Sequence, residues 1–292
     1  MKPALPEAAH CLGPRPAPKP AHLAPRYAQQ FEDAEVARHY HTRPPYPDEV
    51  FQILGGLLRA QDRFVLELGC GTGELTLGLF EHVPLLHIDA VDPSSAMLAV
   101  ARARPGADDP RIAWIASRAE SFALPRRYSL VVAADSLHWM DWAELFPKLR
   151  AALAPGGVLA LVAGRTLDRP AWEPALRELI GRHSTNREYV AYDLIDELCA
   201  RGLFQVEGSR LTEPMGFAQS LDAYVESFHT RNGFVRALMT ERAALEFDTA
   251  VRRLVLEHQP SGTVEGTTTA RVVWGQPLAP RSGASASPER QR

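Results

Sequence analysis

The chain has 292 residues, of which 46% are hydrophobic, and it carries a formal net charge of −3. This length and composition allow one large α/β domain with an inserted or appended cap, or two small domains. The charge balance and the lack of a Lys/Arg block argue against a nucleic-acid-binding surface, which usually contains a basic patch.

The cysteines, the hydropathy and the two ends of the chain lead to further expectations. Cys11, Cys70 and Cys199 share no CxxC spacing and cannot all pair, which suits a reducing cytoplasm. No apolar run approaches the ~18 residues that cross a bilayer, and no signal-peptide core is visible, so we expect a cytoplasmic protein without a membrane anchor. Residues 1–26 are rich in proline and residues 277–292 in Ser, Ala and Pro, so we expect both segments to be disordered.

The first predicted elements are helices followed by a strand and a glycine turn. Residues 27–40 and roughly 48–58 have the apolar spacing of short amphipathic helices, separated by a Pro-rich turn at 43–47. Residues 63–80 then run from an apolar segment through three glycines into an apolar-periodic segment. This pattern predicts a strand, a tight loop and a helix.

Beyond the glycine turn, strands and helices alternate, which predicts parallel βαβ units with right-handed crossovers. The predicted strands are residues 85–91, 112–115, 130–133 and 158–162, and the predicted helices are residues 94–102 and 142–152. Further along we expect a helix that starts at Asp168 and Pro170, a strand at 203–212, a mostly helical stretch at 218–258 and a last strand at 264–274.

The glycine turn is the first candidate binding element. Its glycines bring the backbone close to a ligand and offer free N–H groups at a helix N-terminus. A dinucleotide-binding turn requires G-x-G-x-x-G, whereas this chain has G-x-G-x-G with Glu74 at the position of the last glycine. The acidic Glu67 at the end of the strand would repel a phosphate and favours a cationic group. The pattern therefore argues against a pyrophosphate ligand.

The segment Glu67-Leu-Gly69-Cys-Gly71-Thr-Gly73 resembles the first motif, E-x-G-x-G-x-G, of the class I S-adenosylmethionine (SAM)-dependent methyltransferases. The resemblance covers about residues 36–276 and is greatest for the type 11 and trans-aconitate-like small-molecule methyltransferases. It implies SAM as the cofactor and S-adenosylhomocysteine (SAH) as its product, held by the three glycines, with Glu67 near the methionine ammonium.

The same resemblance implies the fold. We expect an α/β, Rossmann-like domain over residues 27–276, with a seven-stranded sheet in the family order 3-2-1-4-5-7-6. N-terminal helices precede the sheet, and a helical cap at about residues 168–258 is inserted late in the chain. The strand order comes from the family, whereas the alternation of the elements supports only the α/β class.

The ends of the second and third predicted strands carry further candidate cofactor residues. Asp92 is placed to accept two hydrogen bonds from a ribose diol, with Pro93 beside it. A role for Asp92 at the start of a helix is the alternative, and Asp89 is its competitor on the same strand. Ala119 and Glu120 resemble the family's G-x-A-E segment at the adenine edge, although a plain surface loop is also compatible.

The segment before the first strand resembles the family's N-terminal Y-x-x-R-P-x-Y-P motif. The resemblance implies that Tyr40 and Arg43 close over the cofactor, with the guanidinium facing the methionine carboxylate. The alternative is that these residues have a purely structural role and hold the N-terminal segment in place. His39 and His41 have the spacing of a metal pair, but no third ligand lies nearby in the sequence, so we expect no metal.

The end of the fourth predicted strand resembles the A-L-H-W run of the small-molecule methyltransferases. Because carboxyl ends of parallel strands border the ligand crevice, we expect Asp135 and Ser136 to contact the cofactor and Trp139 to contact the substrate. Asp135 departs from the Gln or Ser that is often found there. His138 is either a buried structural histidine or a contact near the reactive methyl group.

The late helical stretch supplies the candidate acceptor pocket. Tyr224, Phe228 and Arg231 share one helical face and either cover an apolar substrate or belong to the core. If the acceptor needs a base, His138, His229 and Glu226 are the candidate catalytic residues, in that order.

These observations favour methyl transfer from SAM to a small, apolar or aromatic metabolite by in-line displacement. A SAM- or SAH-binding protein without transfer activity is the alternative. A nicotinamide oxidoreductase is disfavoured by the loop spacing, and an RNA methyltransferase by the missing basic patch. The expected partner is a small-molecule acceptor, with no nucleic acid and no membrane, and the protein is expected to be a monomer or homodimer.

Overall fold

The computed structural model describes residues 19–58, 63–167 and 171–278. The helices are α1 (Pro25–Ala28), α2 (Ala34–His39), α3 (Asp48–Leu57), α4 (Glu74–His82), α5 (Ser95–Arg102), α6 (Trp142–Ala152), α7 (Glu173–His183), α8 (Leu194–Ala200), α9 (Leu221–His229) and α10 (Glu241–His258). The strands are β1 (Phe64–Leu68), β2 (His87–Asp92), β3 (Ile112–Ala116), β4 (Tyr128–Ala134), β5 (Leu153–Leu167), β6 (Phe204–Leu211), β7 (Met215–Ser220) and β8 (Thr263–Pro277).

The strands of the described chain form one mixed sheet in the order β3-β2-β1-β4-β5-β8-β6, and β7 also pairs with β8. Neighbours from β3 to β5 are parallel, whereas β8 runs antiparallel to β5, β6 and β7. The predicted α/β fold is confirmed, and the order is close to the predicted one when β8 and β6 are taken as strands 7 and 6. The sheet contains eight strands rather than seven, because β7 is an additional strand.

Helices cover both faces of the parallel part of the sheet, so its central strands are buried on both sides. Leu66 of β1 belongs to the core layer that contains Leu145 and Leu149 of α6. Val65, the preceding residue, belongs to the layer that contains Leu54 of α3. Because successive strand residues point to opposite faces, this alternation fixes the register of β1 between two hydrophobic layers.

Two helices, predicted at residues 94–102 and 142–152, begin next to a capping side chain. Ser94 caps α5, since its Oγ accepts a hydrogen bond from the Met97 N–H at 3.2 Å. Asp141 caps α6 by accepting from the N–H groups of Ala143 and Glu144, and α6 has the predicted bounds. These side chains satisfy N–H groups that a helix start leaves without partners.

The structure differs from the predicted elements in several places. Residues 27–40 contain the end of α1, a 3-10 helix (Gln29–Glu32) and α2 instead of one helix. Residues 19–26 contain a 3-10 helix, Ala21–Leu23, and the start of α1, whereas disorder was expected up to residue 26. His22 and Leu23 are buried there, which explains the order. Residues 218–220 finish β7 instead of a helix, and α8 was not predicted.

Other predicted features fall outside the described residues. They are the disordered extension at residues 1–18, the helix start at Asp168 and Pro170, and the tail from residue 279. In the described part of the chain, no helix has the length and apolar character needed to span a membrane.

Candidate functional site

The glycine loop between β1 and α4 has the left-handed backbone that its sequence predicts. Gly69, Gly71 and Gly73 have φ angles of 71°, 54° and 77°. A Cβ added at Gly69 would lie 2.5 Å from Ser136 Cβ, and one at Gly73 would lie 2.6 Å from the Trp114 ring. A Cβ at Gly71 would meet nothing within 4 Å. The outer glycines therefore serve packing, while open space lies at Gly71.

Asp92 joins this loop to the end of β2. Its Oδ2 accepts a hydrogen bond from the Gly71 N–H and its Oδ1 accepts one from the Ser94 N–H, both at 2.8 Å. Burial raises the pKa of Asp92, and the two backbone hydrogen bonds act against that shift. The carboxylate thus fixes the loop while Asp92 itself forms part of a cavity wall.

Glu67 lies at the end of β1 with only 2% of its surface exposed, and the Thr76 hydroxyl donates to its Oε2. Burial raises the pKa of Glu67 to about 8; the Thr76 hydrogen bond opposes this shift, and the charges of Asp92 and Glu74 add to it. A buried carboxyl group with acidic neighbours fits a cationic ligand group better than an anionic one. Glu67 does not line the two cavities described below.

A cavity of about 700 Å³ lies over the glycine loop and is called the glycine-side cavity. Ten of the twelve predicted cofactor residues line it, and Glu67 and Gly73 do not. The ten are Tyr40, Arg43, Gly69, Gly71, Asp92, Pro93, Ala119, Glu120, Asp135 and Ser136.

A second cavity of about 850 Å³ lies under the cap and is called the cap-side cavity. Its wall is formed by the ends of β4 and β5, by α7, by the loop before α8 and by the end of α9. The two cavities adjoin, because seven residues line both of them. This shared wall consists of Asp135, Ser136, His138, Trp139, Tyr189, Arg231 and Asn232.

The shared wall begins with an unusual turn at the end of β4. Asp135 has a φ of 48°, a left-handed conformation that is rare for a residue other than glycine. Its N–H donates to the Val162 carbonyl at 3.0 Å, and the Ser136 hydroxyl donates to the Leu68 carbonyl at 2.5 Å. Such strain persists only where surrounding bonds enforce it, and it is common at functional sites.

His138 follows this turn and lines both cavities. Burial and, to a smaller extent, the nearby basic groups Lys19, His22 and Arg43 lower the pKa of His138 to about 3. The ring is therefore neutral near pH 7. Such an imidazole accepts a proton poorly, although it still forms hydrogen bonds.

The other two candidate bases lie elsewhere. His229 is buried, its Nδ1 lies 2.7 Å from the Phe234 carbonyl oxygen, and its Nε2 lies 2.6 Å from Asp248 Oδ1. Both ring nitrogens therefore face acceptor oxygens inside the protein, and neither is directed at a cavity ligand. Arg236 bonds to Glu226 at 2.9 Å and to Asp248 at 3.0 Å. This network links α9 to α10, and neither His229 nor Glu226 lines the two cavities.

The predicted substrate residues divide between the cavities and the cap core. Trp139 and Arg231 line both cavities, and Phe228 lines the cap-side cavity. Tyr224 is buried in the hydrophobic core of the cap, where its ring meets Phe228 edge to face at 5.2 Å. It does not line the two cavities.

Arg43 connects the N-terminal segment to the cap. Its Nε donates to Thr230 Oγ1 at 3.0 Å, its Nη2 donates to the Thr230 carbonyl, and its Nη1 donates to Tyr40 OH at 2.9 Å. The guanidinium also stacks on the Tyr40 ring at 4.2 Å. These contacts hold residues 40–43 against the end of α9, at the edge of the glycine-side cavity.

Sequence reasoning missed several residues of the cap-side cavity, among them His22, Asn186 and Tyr192. His22 lies in the Pro-rich segment, and the other two lie in the loop between α7 and α8. No local motif marks them, because only the tertiary fold brings these two segments together. Among the described residues, no group of three or more His, Cys, Asp or Glu is arranged to hold a metal ion.

Comparison with known proteins is consistent with this geometry. Residues 65–157 match the family model described as a methyltransferase domain. The chain is 38% identical over 148 residues to an uncharacterised methyltransferase of Mycobacterium tuberculosis, covering 50% of this chain and 57% of that protein. It is 33% identical over 169 residues to a trans-aconitate 2-methyltransferase of Acidovorax sp., covering 58% and 59%.

The chain thus spans under three fifths of the length of these relatives. A solved structure of a protein classed as a type II methyltransferase, from Anaeromyxobacter dehalogenans, aligns with 80% of this chain and 97% of its own. Its TM-score is 0.57 and its identity is 24%, which is a similarity of fold.

Proposed function

Because this chain belongs to the class I SAM-dependent methyltransferase family, we propose that it transfers a methyl group from SAM to a small-molecule acceptor. The observation that carries the proposal is the pair of adjoining cavities. One lies over the glycine loop, the other lies under the cap, and they share the wall at the end of β4. A cofactor in the first and an acceptor in the second would meet at this wall.

The glycine-side cavity fits the cofactor. Gly71 leaves open space at the loop, and Asp92 stands in the wall with a carboxylate suited to ribose hydroxyls. Ala119 and Glu120 border the same cavity on the side expected for adenine. The buried Glu67 supports a cationic ligand group nearby. When bound, SAM supplies a methyl group on a sulfonium, which is already an excellent leaving group.

The role of the protein is then to position the acceptor and to exclude water. Methyl transfer requires the acceptor atom about 3–3.5 Å from the methyl group and in line with it. Within the shared wall Ser136 is buried, and the Arg43 contact with the cap helps to close the site against water.

We assign His138 a positioning role through neutral hydrogen bonds, because its lowered pKa makes it a weak base. His229 and Glu226 support the cap in this proposal, since their hydrogen bonds are used within the α9–α10 network. The acceptor is accordingly one that needs no strong protein base.

Two measurements test the proposal. Calorimetric titration with SAH is expected to give binding heat, and Asp92→Ala is expected to lose it. Asp108→Asn, an equal charge change at an exposed loop position, serves as the control. Mass spectrometry then follows SAH formation from SAM with a panel of small acceptors that includes aromatic and aliphatic compounds and trans-aconitate, the acceptor named in one relative.

Each outcome has a distinct meaning. Heat with SAH together with acceptor-dependent SAH formation supports the proposed transfer. Heat without SAH formation across the panel favours a SAM- or SAH-binding protein that does not transfer a methyl group. The absence of heat from both SAM and SAH overturns the proposed function.

The extent of the domain, its cellular compartment and its oligomeric state are further parts of the proposed function. We propose that residues 27–276 act as one methyltransferase domain, because β8 completes the sheet after the proposed cap at residues 168–258. Within that range α7, α9 and α10 pack together as the helical cap, whereas β6 and β7 pair with β8 in the sheet. The burial of Cys70 and Cys199 as thiols is compatible with action in the cytoplasm. We propose a monomer or homodimer that acts on metabolites rather than nucleic acid, in keeping with the net charge of −3.

A further inference from the structure

Within the described part of the chain, two polar side chains in the wall of the cap-side cavity have buried hydrogen-bonding atoms without a partner. Asn186 is 5% exposed, and neither its Oδ1 nor its Nδ2 has a hydrogen bond. His22 is 2% exposed, and its Nε2 has no hydrogen bond. A buried polar group without a partner costs about 1–3 kcal/mol, so it needs a reason.

Backbone contacts fix Asn186 in this position. The Asn186 N–H donates to Ser184 Oγ at 3.2 Å, and the neighbouring Thr185 N–H donates to the Gly233 carbonyl at 2.8 Å. A Cβ added at Gly233 would lie 2.4 Å from Ser184 Oγ and 3.4 Å from Asn186 Cβ. The loop before α8 therefore packs tightly on the turn after α9 and holds the amide at the cavity.

His22 is held by aromatic rings instead. Its ring lies 5.3 Å from that of Tyr189 and 5.1 Å from that of Tyr192, measured between centroids. Burial lowers the pKa of His22, so the ring is neutral near pH 7. The imidazole offers an uncharged hydrogen-bonding atom at a second point of the same wall.

Three charged residues of the cavity wall, Arg187, Asp193 and Arg271, have partners within the protein. Arg187 donates to the carbonyls of Gly181 and Arg182, both at 3.1 Å. Arg271 pairs with Asp193 at 3.6 Å.

Arg231 stacks on the Phe228 ring at 4.5 Å. Much of the remaining wall is apolar, and it includes Leu161, Val162, Ile180 and Phe234. Among the described residues of this wall, the buried hydrogen-bonding atoms without a partner belong to Asn186 and His22, which are uncharged groups.

We infer that the acceptor is an uncharged molecule with an apolar body and an amide- or lactam-type edge, and that Asn186 selects it by binding this edge. An amide places a carbonyl acceptor beside an N–H donor, which complements both atoms of the Asn186 side chain. A carboxylate would accept from Nδ2 but would face Oδ1 with another negatively polarised oxygen. His22 binds a second polar group of the same molecule.

The inference rests on the proposed function, since it names the acceptor class for the same site. Its test uses the full chain saturated with SAH and three bicyclic probes of similar size. The probes are the lactam 2-quinolinone, the carboxylate 2-naphthoate and quinoline, which has no N–H donor. Equilibrium binding is measured by tryptophan fluorescence or by ligand-observed NMR, for the wild type and for Asn186→Leu.

We expect 2-quinolinone to bind the wild type at least tenfold more tightly than either other probe. Asn186→Leu should lose that tenfold preference and keep its affinity for quinoline within about twofold. Asn186→Asp, which loses the amide donor, should lose it as well. This second variant provides the same readout if the leucine variant does not fold.

A prior titration of the wild-type protein with SAH distinguishes failure of the proposed function from failure of the acceptor inference. If SAH does not bind to the wild type, the proposed function fails. If SAH binds, three results overturn the acceptor inference alone. The first is a preference for 2-naphthoate over 2-quinolinone, and the second is no binding of 2-quinolinone. The third is an affinity for 2-quinolinone that is unchanged in both Asn186 variants.

Discussion

Replacing Gly69 with alanine separates the packing requirement of the glycine loop from its backbone requirement. A Cβ at this position would lie 2.5 Å from Ser136 Cβ and 3.0 Å from Ser136 Oγ. Gly71 is the matched control, because its φ is also positive but its added Cβ would meet nothing within 4 Å. The two substitutions therefore share the backbone strain and differ in the steric clash.

The expected magnitudes follow from this difference. An alanine at positive φ costs about 1–3 kcal/mol, and a less flexible unfolded chain offsets about 0.4–1 kcal/mol of that cost. Only Gly69→Ala adds overpacking, which costs about 1–3 kcal/mol. We expect the free energy of unfolding to fall by about 1–3 kcal/mol more for Gly69→Ala than for Gly71→Ala.

Urea denaturation of the ligand-free protein, followed by tryptophan fluorescence, measures both losses. The comparison is repeated in a Ser136→Gly background, which removes both clashing atoms and allows a double-mutant cycle. There, Gly69→Ala should cost no more than Gly71→Ala. Equal losses for the two alanine variants in the wild-type background would refute the packing argument.

Three further predictions concern carboxylates. Asp92→Asn should raise the Kd for SAH roughly ten- to hundredfold in calorimetry, because an amide N–H₂ would face a backbone N–H donor. For Asp248, burial raises the pKa, but the bonds from His229 and Arg236 leave it below its usual value. Stability should therefore fall as the pH drops below about 4, and Asp248→Asn should flatten that fall in urea titrations. Glu67 retains a proton up to a pKa of about 8 in the folded state, so ligand-free stability should fall between about pH 5 and 8, and Glu67→Gln should abolish this slope.

The sequence predicted the elements whose signals are local. The limits of α6 and the cap of α5 follow from Asp141 and Ser94, which bond to N–H groups two or three residues away. The strands of the parallel sheet follow from short apolar runs that are buried on both faces. Neither signal depends on distant parts of the chain.

The strand β7 could not be predicted in the same way. Its residues, Met215–Ser220, include Gly216 and Ala218 and have a weak strand signal. Their strand conformation comes from antiparallel pairing with residues 263–268 of β8, almost fifty positions later in the chain. Tertiary pairing, rather than local preference, determines this element.

The residues of the candidate site also divide into those with a local sequence signal and those placed by tertiary packing. The residues around Gly69, Asp92 and Asp135 follow directly after strands, and parallel topology brings such positions to one edge of the sheet. In contrast, His229 is next to Phe228 in the sequence but occupies another side of α9, because successive helical residues are turned by about 100°. Asn186 reaches the cavity only through the packing of its loop on Gly233.

The position of β8 in the sheet has a consequence for biosynthesis. This strand pairs with β5, β6 and β7, yet it is the last strand of the described chain. While the ribosome is still translating the codons before residue 263, β5 of the nascent polypeptide presents an open edge. Open edges recruit strands from other chains, so premature termination shortly before β8 should yield an aggregating product rather than a smaller working enzyme.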